Sequence, residues 1–115
     1  MKKYKGAIVE ESLEDKNVLE DFDIVERTVT DDENPDDRWH ICKVLADMEH
    51  IEKLSKFIKP IGWYANFWSG TGNMAVVYRN KIFSFHKDDE VGRREAVEYG
   101  LSVGIPLEQL DFFVE

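Results

Sequence analysis

Between Trp63 and His86 the chain crowds three strand-like runs so closely that few arrangements can follow. Residues 63–69 (WYANFWS), 74–79 (MAVVYR) and 81–86 (KIFSFH) are rich in aromatic and β-branched side chains. Gly70-Thr71-Gly72-Asn73 separates the first two runs and Asn80 the second two. Connections this short join antiparallel neighbours, so the segment predicts a meander. Side chains alternate along a strand, which puts Trp63, Ala65 and Phe67 on one face and Tyr64, Asn66 and Trp68 on the other. The next strands set Val76 and Tyr78 against Val77 and Arg79, and Phe83 and Phe85 against Ile82, Ser84 and His86. Neither face is polar enough to lie open to water. One face is expected to take the helices; the other needs a loop, the C-terminal tail, a second subunit or a ligand over it.

The rest of the chain supplies the helices and three more strands. Residues 4–10 read as a strand, and Ser12 opens a short acidic helix with Asp15 in the capping-box position and Leu13, Val18, Leu19 and Phe22 on its apolar side. Residues 23–30 and 38–46 resume β character around the acidic stretch 31–37, which predicts a hairpin. Asp47 caps an amphipathic helix with Ile51, Leu54, Phe57 and Ile58 at three/four spacing, stopped by Pro60 and Gly62. Asp88 or Asp89 caps the last helix, whose inner face is Ala96, Val97, Gly100 and Leu101. Gly104-Ile105-Pro106 ends it, Leu107 and Leu110 add one further turn, and the tail Phe112-Phe113-Val114 docks. The order β-α-β-β-α-β-β-β-α predicts an α+β fold with a mostly antiparallel sheet and its helices on one face. Its first six elements match a ferredoxin-like β-α-β-β-α-β unit. At 115 residues, without repeat, low-complexity tract or linker, a single domain over 1–115 is expected.

Charge bears on partners. The formal net charge is −9, which argues against broad nucleic-acid or anionic-membrane binding. It is unevenly spread, with residues 1–37 and 88–115 acidic and residues 38–87 basic. Such segments either compensate one another on one surface or leave the basic middle facing an anionic ligand or partner. After the basic start Met1–Lys5 only Gly6-Ala7-Ile8-Val9 precede Glu10, short of the about 7–15 apolar residues of a secretory segment or the about 20 of a spanning helix. A cytoplasmic location is therefore expected, in keeping with the single cysteine, Cys42.

Few constellations carry chemistry. Asp31, Glu33 and Asp37 alternate like calcium ligands, but Asp36 stands where an EF-hand needs glycine and Cys42 where it needs a bidentate acid. His40 and Cys42 share a strand face, and only proximity to His86 would make them a three-ligand metal set. Neither pattern is sufficient, so no metal and no cofactor is expected. Gly70-Thr71-Gly72 lacks the helix and lysine of a phosphate loop, and no serine nucleophile elbow occurs. Cys42 lies in an apolar run, where thiols are inert. His50, in the first turn of a helix, reads as a surface residue.

Three stretches taken together, Gly6–Asp15, Lys59–Trp68 and Ala96–Gly100 running on to Gly104–Phe112, resemble a small uncharacterised prokaryotic protein family of about this length. The resemblance spans nearly the whole chain and implies one intact domain, with no activity, cofactor or site residue to carry over. From the residues, the chain reads as a small non-catalytic binding or interaction module that uses the aromatic sheet face. A protein partner, a second copy of itself or a small ligand would sit there, at Tyr64, Trp68, Arg79 and His86. The alternative is a small enzyme with a pocket lined by the same four residues and His86 as general base.

Overall fold

A computed structural model describes residues 4–31, 33–34 and 38–112. Six strands form one sheet: β1 (Tyr4–Val9), β2 (Asp23–Val29), β3 (His40–Ala46), β4 (Ala65–Ser69), β5 (Asn73–Tyr78) and β6 (Lys81–His86). Two α-helices accompany them, α1 (Met48–Ser55) and α2 (Glu90–Ser102). Every pairing is antiparallel, in the order β2-β3-β1-β4-β5-β6. The fold is α+β, as expected.

The strand order follows from the connections. Because β1 and β2 each run antiparallel to β3, they are parallel to one another with β3 between them. By the same logic β3 and β4 are parallel with β1 between them. Two crossovers split by an inserted strand are the ferredoxin-like arrangement anticipated for the first six elements. The meander then extends the sheet from β4 through β5 to β6, turning at Asn80 with a positive φ of 57°.

The first crossover is not the α-helix expected after Ser12. Two 3₁₀ turns, Glu10–Ser12 and Lys16–Asp21, take its place, interrupted by extended backbone at Leu13 and Asp15. Ser12 spends its hydroxyl on the Val9 carbonyl at 2.6 Å, and Leu13 bridges to Ile58 as in a strand. Asp15 caps the second turn by accepting from the Asn17 amide at 2.9 Å. Two short polar residues that compete for backbone hydrogen bonds leave too few consecutive turns for an α-helix. The apolar positions still serve: Leu13, Val18, Leu19 and Phe22 are buried.

Two cores flank the sheet. The first joins Ile8, Cys42, Val44, Phe67 and Val77 to Ile51 and Leu54 of α1 and to the 3₁₀ segment. The second joins Met74, Val76, Tyr78 and Phe85 to Ala96 of α2 and to Ile105, Leu110 and Phe112. Met74, Val76 and Tyr78 alternate with Ala75 and Val77 along β5, so α1 and α2 lie on opposite faces. The expectation that all helices share one face is corrected. A meander apolar on both sides needs a cover on each, and α2 with the tail is the second cover.

Close approaches explain two glycines. A Cβ on Gly6 would stand 2.2 Å from the Phe67 ring across the β1–β4 pair. On Gly100 it would meet Leu110 at 2.6 Å and the Tyr78 hydroxyl at 2.7 Å, where Tyr78 donates to the Ala96 carbonyl at 2.7 Å. Among the described residues no helix is long and apolar enough to cross a membrane.

Candidate functional site

The uneven cover of the second face creates the site. There α2 and the tail lie over the β4–β6 side, and beside them Ala7 and Val9 of β1, Thr28 of β2, and Ile41 and Lys43 of β3 floor a groove. Gly62, Trp63, Tyr64 and Asn66 line it together with Glu108, Gln109 and Asp111 of the tail, and Trp39 stands beside Trp63. The cavity measures about 440 Å³, within the range of small-ligand pockets.

Its walls are built by ordinary local structure. Trp39 precedes β3 and is held by reciprocal bonds with Thr30: the Trp39 amide donates to Thr30 Oγ1 at 2.7 Å, and the Thr30 amide to the Trp39 carbonyl at 2.9 Å. Next door, the His40 amide and Nδ1 contact the Glu11 carboxylate at 2.7 and 2.8 Å. Burial opposes ionisation of Glu11, yet those hydrogen bonds from His40 hold its carboxyl below the usual range. Trp63 lies just ahead of β4, packs on the edge of the first core and also reaches the groove. The Trp39 and Trp63 rings stand 5.4 Å apart at 59°. With Trp39 37% exposed, one indole of this pair is open to solvent.

Tyr64 ties the tail to the sheet. Its hydroxyl donates to the Gln109 carbonyl, and Phe112 meets its ring edge-on at 5.5 Å. Burial, then the neighbouring Asp111 carboxylate, push the phenol up to about 12, so it stays a neutral donor. Arg93 holds the same tail from α2, donating to the Phe112 carbonyl at 3.0 Å with its guanidinium about 6 Å from the Phe85 and Phe112 rings.

The four residues singled out from the sequence do not converge. Tyr64 lines the groove, and alternation puts Trp68 on the same face, buried. Arg79 turns to the first face, where it pairs with Glu14 and donates to the Ile58 carbonyl at 3.2 Å. His86 stands at the other end of the hairpin, opposite Asn73, against Thr71 O at 3.3 Å and Asp88. Five strand residues, ~17 Å, separate it from the Arg79 end. A shared pocket for these four is therefore corrected to a groove that keeps only Tyr64. His40 and Cys42 do share a face, but three strands lie between theirs and that of His86, a separation of ~19 Å. Burial, reinforced by Glu10, raises the Cys42 thiol above its usual range. His50 is half-buried against Phe22 at 5.7 Å and closes a capping box with Asp47, so its surface assignment is corrected too. In the acidic loop Asp32 and residues 35–37 lie outside the described residues, as do Phe113 and Val114 of the tail.

Compared with protein-family models, curated proteins and solved structures, the chain matches none.

Three of the eight basic side chains in the middle of the chain meet acids of the N-terminal part. Lys53 pairs with Asp21, Arg79 with Glu14, and Lys43 with Glu26 at 3.9 Å. These contacts favour surface compensation over a basic face for an anionic partner. What sequence reasoning missed was Trp39 and Trp63 as a pair, since only the strand order brings them together.

Proposed function

We propose that the protein is a binding module that takes a small ligand with a flat apolar body into the groove lined by Trp39, Trp63 and Tyr64. The observation that carries this reading is the groove itself: a ligand-sized hollow where the second face is covered neither by α2 nor by the tail, lined by an indole pair of which Trp39 is open to solvent. Aromatic walls with a few polar groups at the ends are how small-molecule sites obtain both affinity and orientation. Lys43, Gln109, Glu108 and Asp111 supply those polar ends.

Amide-resolved NMR of the full chain against a library of small aromatic fragments tests the reading. Binders are expected to shift Ala7, Val9, Ile41 and Tyr64 and to quench tryptophan emission, both effects weakening in Trp39→Leu. Fragments that shift only residues elsewhere, or none at all, overturn it. So does a dimer, detected by analytical ultracentrifugation, whose formation protects the same amides.

A further inference from the structure

We infer that the ligand of this groove is an organic cation, an ammonium group carried on an apolar or aromatic body. The inference rests on the groove reading above and names its ligand class. Three rings converge on the hollow, and two are indoles, whose faces attract cations most strongly. The pair is in contact at 5.4 Å and tilted by 59°, so a compact cation rests in the mouth of the wedge, against the exposed Trp39 indole, rather than between the rings.

Charge points the same way. The lining holds two carboxylates, Glu108 and Asp111, against one ammonium, Lys43. That ammonium already faces Glu26 at 3.9 Å, which leaves the tail carboxylates to set the sign of the rim. Asp111 lies on the groove lining and adds to the burial that keeps the Tyr64 phenol protonated. An anion would enter against these two charges in a chain of formal net charge −9. A neutral ligand would use the walls and leave the rim idle. A cation uses both.

The decisive comparison holds shape fixed and changes charge. Choline and the alcohol in which tert-butyl replaces its trimethylammonium form one pair; benzyltrimethylammonium and benzenesulfonate give the two signs on one ring. Titrations of the full chain, followed by tryptophan emission and groove amides, are expected to show each cation binding about tenfold or more tighter than its counterpart. Raising salt from about 50 to about 500 mM should weaken only the cations. The paired change Glu108→Gln and Asp111→Asn, on exposed side chains, should cost the cations about fivefold and leave the alcohol unaffected. Trp39→Leu should weaken both members of the choline pair.

Equal affinity for the alcohol, or preference for the sulfonate, overturns the cation assignment and leaves the groove standing. Silence of every cation while neutral fragments still shift the groove amides does the same. Silence of all probes and fragments at the groove removes both readings.

Discussion

At the scale of single residues, Gly6 and Tyr64 show how closely this sheet is fitted. Gly6→Ala would drive a methyl into the buried Phe67 ring, an overpacking that should cost about 1–3 kcal/mol in urea unfolding. Gly70→Ala is its control, with nothing within 4 Å of the added atom, and should change stability by less than about 0.5 kcal/mol. Tyr64 carries a pH signature. Burial, then Asp111, push its folded phenol up to about 12 from the usual 10, so the folded state holds the proton longer than the unfolded one. Stability from this group is then complete below about pH 10 and falls as pH climbs toward 12. Tyr78, raised in the same direction by burial and by Tyr64 and Tyr99, adds to the trend. Alkaline unfolding followed by circular dichroism should begin above pH 10, and Tyr64→Phe should flatten its early part. At neutral pH that variant should lose about 0.5–1.5 kcal/mol with the bond to Gln109.

At the scale of elements, the tail behaves as a strap whose fastenings can be removed singly. Arg93 is one: its guanidinium lies beside Phe85 and Phe112 and donates to the Phe112 carbonyl. Arg93→Ala should therefore lower stability by about 1–2 kcal/mol. Hydrogen exchange at residues 107–112 should rise with α1 left protected; unchanged exchange there would mean that Leu110 and Phe112 hold the strap without help. The elements also show what a single sequence discloses. Strands and α1 were legible because alternation and three/four spacing are local signals that burial rewards directly. The segment after Ser12 was not, since its apolar spacing suits a helix while the Ser12 and Asp15 side chains bond nearby backbone instead. Leu101, expected on the inner face of α2, is exposed, because Ala96, Gly100 and the Tyr99 ring seat the helix on Tyr78.

At the scale of the whole molecule, two-sided apolarity in residues 63–86 correctly demanded a second cover, but its supplier depended on strand order, which no local pattern encodes. The same dependence hid the site. Tyr64 was visible as an aromatic on the second face, whereas Trp39 and Trp63 lie 24 positions apart and meet only once β1 and β3 are inserted beside β4. The β2 edge, one of the sheet's two, is also settled at this scale. β2 exposes Val25 and Val29, and its register shifts between Ile24 and Glu26, an irregularity that disfavours pairing with another edge. Self-association should then arise from the second face rather than from β2, and only when that face loses its cover. Leu110→Ala combined with Phe112→Ala strips two buried side chains that cap Tyr64, Tyr78 and Phe85. Such truncations cost roughly 2–5 kcal/mol each when fully buried, so the melting temperature should fall sharply. Analytical ultracentrifugation should reveal concentration-dependent dimers in this variant, and added glutamate in place of Val25 should not dissolve them. Dimers that vanish with Val25→Glu would instead make β2 the sticky surface and the tail a bystander.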